Sequence, residues 1–155
     1  MPFLNLKSLR GKRGGTRRPE SLERFVTAQQ AIYPQALAEL RAGDKQSHWM
    51  WFVFPQIAGL GRSEMAQRFA LADRAEAEAY LAHPLLGSRL ADCTDTMLGW
   101  AGRKNAEAIL GPVDAVKFRS AMTLFEAAGG GARYARALDA FFGGERDGLT
   151  LAALD

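Results

Sequence analysis

Residues 48–54 read His-Trp-Met-Trp-Phe-Val-Phe and end at Pro55, and this run constrains the fold more than any other. Two of the three tryptophans and two of the nine phenylalanines fall within six residues of it. That much apolar surface must be covered, so the remaining chain has to wrap a core around it. Periodicity does not separate a buried strand from a buried helix in so short a run. No second segment reads as a pairing strand, and a lone strand would leave its backbone donors and acceptors unmet. The run therefore reads as a short central helix, buried nearly all round. On such a helix His48 and Phe52 share a face, Trp51 and Pro55 share another, and Trp49 points elsewhere. The expected core joins Trp51, Phe52 and Phe54 to Leu90, Leu124 and Phe125.

The flanking sequence is helical throughout. Leu22, Phe25, Val26, Gln29, Ile32, Tyr33, Ala36, Leu37 and Leu40 keep the spacing of one buried helical face. Ser21 is read as its N-cap and Gly43 as its stop. Pro34 inside it predicts a kink or a second helix starting there. Ser63 caps a helix over 64–71, and Asp73-Arg74-Ala75-Glu76 is a capping box opening one through Ala82. Pro84 suits the first turn of the next, which runs to about Trp100. Shorter helices are expected over Asn105–Leu110, from Asp114 with Val116, Met122, Leu124 and Phe125 inward, over Arg133–Phe142, and at Leu149–Leu154. Glycines 59, 61, 129–131 and 143–144 mark the breaks. The fold class is all-α: one domain of roughly seven to nine helices over residues 19–155, with no significant sheet and no repeat period.

Size and charge agree with that picture. At 155 residues, folding should bury about 70% of the extended-chain surface, enough for a core without disulfides or metal. Cys93 is the only cysteine, which points to a reducing, cytoplasmic setting. No apolar run approaches the ~20 residues of a membrane span. The net charge of +3 divides into +5 for residues 1–20 and −2 for the rest. Residues 1–18 read as a flexible basic arm, a solvated leader more readily than a tether to phosphate or an anionic surface. The near-neutral body makes no case for nucleic-acid contact.

The motifs of nucleotide, zinc and serine-hydrolase chemistry are absent: there is no P-loop, H-E-x-x-H, paired C-x-x-C or G-x-S-x-G. With His48 and His83 as the only histidines, no metal and no cofactor is expected. His83, before Pro84, reads as a turn residue bonding backbone. The unusual segment remains. Lys45, His48, Gln56, Arg62 and Ser63 flank its aromatics, and a pocket with apolar walls and a few convergent polar groups is the usual form of a small-molecule site. The competing reading makes the same aromatics plain core.

LERFVTAQ at 22–29, SHWMWFVFPQIAGLGRS at 47–63, AEAYLAHPLLGSRL at 77–90 and KFRSAMTLF at 117–125 together resemble the DUF1810 family of bacterial proteins, whose function is unknown. The resemblance runs from about Leu22 to Leu154 and implies a compact all-α domain. The chain departs from it at Ala121, where a second serine would be expected after Ser120. The 117–125 motif adds Lys117, Arg119, Ser120 and Thr123 as groups that could meet the His48 segment in space, though Lys117 and Arg119 read equally well as solvated.

Two functions compete on this evidence. In the first the chain binds a small anionic or nucleotide-like metabolite, with His48 the candidate catalytic proton-transfer group. Lys45, Trp51, Gln56, Arg62, Ser63, Lys117 and Ser120 are then the ligand-binding candidates. No nucleophile–base pair fixes a reaction class, so whether it is an enzyme stays open. In the second it is a non-catalytic protein–protein interaction module. A deep aromatic pocket holding His48 favours the first, and a closed core beneath an exposed apolar patch favours the second. Oligomeric state is open, with a monomer preferred.

Overall fold

The computed structural model describes residues 22–155. The basic arm over 1–18 and the expected cap at Ser21 lie outside the described residues. Nine helices follow one another among those that are described: α1 (Glu23–Ala42), α2 (Met50–Val53), α3 (Glu64–Arg68), α4 (Arg74–Ala82), α5 (Leu86–Leu98), α6 (Ala106–Leu110), α7 (Pro112–Ala127), α8 (Ala132–Phe142) and α9 (Gly148–Leu154). The described residues form no strand, only an isolated parallel bridge between Ile57 and Leu71.

Local chemistry sets most helix ends. Asp73 accepts from the Glu76 amide at 2.9 Å, while the Glu76 carboxylate accepts from the Ala72 amide at 2.8 Å, one residue before the cap, a variant of the expected capping box. His83 accepts at Nδ1 from the amides of Leu85 and Leu86, so it covers the first turn of α5 as the sequence suggested. Asn105 caps α6, and Ser63 caps α3, which stops at Arg68 rather than 71. Helix α1 continues through Pro34 without a break, so no second helix begins there. It ends at Gly43, whose φ of 68° is the left-handed conformation that glycine adopts cheaply.

The core is one cluster threaded by two aromatic strings. Phe52, Phe69, Phe25, Tyr80, Phe125 and Tyr134 contact one another in sequence through tilted and edge-to-face pairs, with centroids 5.2–5.9 Å apart. Trp49, Phe54 and Phe118 form the second, ending on Phe141 and Phe142. Phe52, Phe54, Leu90, Leu124 and Phe125 are buried as expected. Trp51 is not: it is half-buried, and the fully buried tryptophan is Trp49. The cause is the start of α2. The helix begins at Met50, so Trp49 enters the core from the N-cap position, and residue 51 takes the outward face of a four-residue helix. Because His48 precedes the helix, it does not share a face with Phe52 and is exposed. Val116 is likewise 60% exposed rather than inward, its place on α7 taken by Phe118.

Candidate functional site

Glu39, on the last full turn of α1, organises the residues leading into α2. Its carboxylate accepts from the Gln46 amide at 2.9 Å, the Ser47 amide at 3.1 Å, the Ser47 hydroxyl at 2.7 Å, the Trp49 indole at 2.8 Å and the Gln35 side chain at 3.0 Å. Burial by itself would raise the carboxyl pKa. The bonds from Ser47, Gln46, Trp49 and Gln35 outweigh it and hold the pKa at about 2. The sequence reading passed over Glu39. Its signal was an acid three residues after Ala36 and next to Leu40, inside the apolar stripe of α1.

The ordered 44–49 segment presents Lys45 to α7. The Lys45 ammonium lies 2.8 Å from Asp114 Oδ2, donates to the Ser47 carbonyl at 2.6 Å and sits 5.0 Å from the centroid of Trp49. Its side chain is only 8% exposed. Asp114 also faces Lys117, at 3.5 Å from Oδ1, and the Lys117 ammonium stands 5.0 Å above the Trp51 ring. One carboxylate thus bridges a buried and a more exposed lysine, both over tryptophan faces.

Beside Lys117 opens a cleft of about 420 Å³, lined by Gln56, Leu60, Gly61, Pro112, Val113, Val116 and Lys117. Its two sides come from the loop after α2 and the first turns of α7. The bridge to Leu71 pins the loop: the Leu71 amide donates to the Gln56 carbonyl, and the Ala58 amide to that of Leu71. Gly61 comes so close to α3 that a Cβ there would sit 2.5 Å from that of Ala66. Pro112 opens α7 at a position whose amide would go unused in any case. The walls are chiefly aliphatic, with Lys117 and Gln56 as the polar residues.

Of the residues singled out from the sequence, Gln56 and Lys117 line this cleft, and Trp51 and Lys45 stand behind Lys117. The others go elsewhere. His48 is exposed, makes no hydrogen bond among the described residues and does not line the cleft. Arg62 is exposed, and Ser63 spends its hydroxyl on the Ala66 amide as the cap of α3. Ser120 is buried and donates to Asp147 Oδ2 at 3.0 Å. The same carboxylate accepts from the amide and hydroxyl of Thr150, while Thr123 accepts from the Asp147 amide, so Ser120 and Thr123 anchor α9. Arg119 donates to the carbonyls of Glu145 and Arg146. Among the described residues no three His, Cys, Asp or Glu side chains converge as a metal site, and no helix is long and apolar enough to cross a membrane. Leu60, Pro112, Val113 and Val116 were missed, because nothing local ties the loop to the start of α7.

Comparison with known proteins locates the chain without giving it a role. It resembles the crystal structure of the conserved hypothetical protein Rv1873 from Mycobacterium tuberculosis, with 44% identity and a TM-score of 0.85 over 88% of this chain and 98% of that one. No curated protein matches. The model of the family described as "Protein of unknown function (DUF1810)" matches residues 19–154, and the chain belongs to that family.

Proposed function

We propose that the chain is a small-molecule-binding protein whose recognition site is the cleft between the 56–61 loop and the first turns of α7. The observation that carries this reading is the composition of the cleft: aliphatic walls from two distant segments, with one lysine and one glutamine among them. Ligand sites commonly have ~300–1,000 Å³ of such space and few polar groups, and this cleft has about 420 Å³. Both sides are fixed, one by the Leu71 bridge and the other by a 16-residue helix, so the ligand meets a largely formed surface. The aromatic run behind the cleft is its support: Phe52, Phe54 and Trp49 fill the core, and Trp51 holds Lys117 in place.

A second reading rests on Val113 and Val116, which are 68% and 60% exposed. A protein partner's side chain would enter the same cleft, and the chain would act as an interaction module. A thermal-shift screen against a metabolite library separates the two. Under the proposal at least one compound raises the melting temperature of the full chain, by an amount that grows with its concentration. The same compound does nothing for a Val113→Ser, Val116→Ser double variant. Hits that stabilise both proteins equally would place the site elsewhere.

A further inference from the structure

We infer that the occupant of this cleft is a small monoanion with an apolar body, in the simplest case a carboxylate, and that Lys117 takes up its charge by leaving Asp114. The inference rests on the reading of the cleft as a ligand site. Asp114 has two lysines, and they are not equivalent. Lys45 is the closer at 2.8 Å, is nearly buried, and is fixed by the Ser47 carbonyl and the face of Trp49. Lys117 is the looser at 3.5 Å, its side chain is 23% exposed, and it alone of the pair lines the cleft. If Lys117 swings away, Asp114 keeps its short contact with Lys45, so no buried carboxylate is stranded.

The lysine pair sets the ligand class. Asp114 is shared by two lysines, and the one with the weaker hold on it is the one in the cleft lining. A single anionic group can take the place of Asp114 at Lys117, the one cation in that lining. A lysine suits this exchange, having a compact cation on a flexible stem with three donors that need no fixed approach. The first turn of α7, with Pro112 and Val113 in the cleft wall, adds the positive end of a helix dipole on the same side. Leu60, Pro112, Val113 and Val116 offer apolar surface for the rest of the molecule, and Gln56 is the other polar residue in the lining.

The test titrates hexanoate, 1-hexanol and acetate into the full chain and follows amide chemical shifts. Hexanoate should bind about fivefold more tightly than hexanol, the size of one exposed charge-assisted contact, and acetate more weakly than hexanoate. Added salt should narrow the gap between hexanoate and hexanol. Lys117→Gln should erase that preference, so that the variant binds hexanoate and hexanol alike. A preference that survives Lys117→Gln, or hexanol binding as tightly as hexanoate to the unmodified chain, overturns the anion assignment and leaves the cleft reading standing. The Val113→Ser, Val116→Ser variant should weaken hexanoate and hexanol alike. If it binds both as before, or if neither binds the unmodified chain at tens of millimolar, the cleft reading itself fails and the anion assignment goes with it.

Discussion

The indole Nε1 of Trp49 donates to Oε1 of Glu39 at 2.8 Å, across ten residues and the turn that ends α1. That bond lets a tryptophan enter the core with its one donor satisfied. It also places the start of α2, and so decides that Trp51 faces outward beneath Lys117. Removing the acceptor should be costly. Glu39→Gln puts an NH₂ donor among groups that are themselves donors, and the expected loss is on the order of 3 kcal/mol in urea unfolding at neutral pH.

The same carboxylate gives the fold an acid sensitivity of known sign. Its folded-state pKa of about 2 lies below the 4.5 of a free glutamate. Its contribution is therefore complete above about 4.5 and falls away as pH drops toward 2. Glu126, which the Arg146 guanidinium holds below its ordinary value, contributes with the same sign. The difference between the unmodified chain and Glu39→Gln isolates Glu39, and it should shrink steadily from pH 5 to 2.5 in acid-titrated melts. A difference that stays constant over that range would contradict the assignment.

The two tryptophans of the central run should respond very differently to truncation. Trp49→Ala removes a fully buried ring together with its hydrogen bond and should cost roughly 3–5 kcal/mol. Trp51→Ala takes away a half-buried ring and should cost no more than about 2 kcal/mol. Equal losses in denaturant melts would mean that Trp51 is core after all.

Gly43 should be much less replaceable than Gly59. Its φ is 68°, and a Cβ there would sit 2.8 Å from the Trp100 ring, which is itself fixed by the indole bond to the Leu40 carbonyl. Gly59 has a φ of 99° with nothing near a Cβ. Gly43→Ala should cost roughly 2–4 kcal/mol, against ~1–2 for Gly59→Ala, the excess measuring the clash.

Cys93 should be inert in the folded chain. It is fully buried, and burial, only partly offset by the Tyr33 hydrogen bond, pushes its thiol up to about 12. A thiol reagent should label it only at the rate of opening, rising with denaturant in step with unfolding. Rapid labelling of the native chain would contradict this burial.

What was legible in the sequence was what local chemistry decides. The Asp73–Glu76 box, the turn at His83-Pro84 and the break at Gly129–Gly131 are set within a few residues, and the helices appear where those signals put them. The all-α class and the burial of Phe52, Phe54, Leu90, Leu124 and Phe125 followed from apolar spacing. The exchanged roles of Trp49 and Trp51 did not, because the inward face of a four-residue helix depends on its first residue, which a carboxylate ten positions upstream selects. Val116 belonged to a run that spacing alone would turn inward, but the start of α7 stands clear of its neighbours. Lys45 and Asp114 lie far apart in the chain, and only the packed fold makes them a pair. For the same reason the candidate site could be read only in part: Gln56 and Lys117 line the cleft, while the aliphatic wall between them was invisible.

Amide chemical shifts show where on the chain a bound molecule sits. Amide spectra of the full chain should be recorded with and without hexanoate, with the Val113→Ser, Val116→Ser variant as control. The largest shifts should fall at Gln56, Gly61, Val113, Val116 and Lys117 and be lost in the variant. Shifts centred on His48 or on the Gly129–Gly131 turn, or a pattern the variant leaves unchanged, would contradict it.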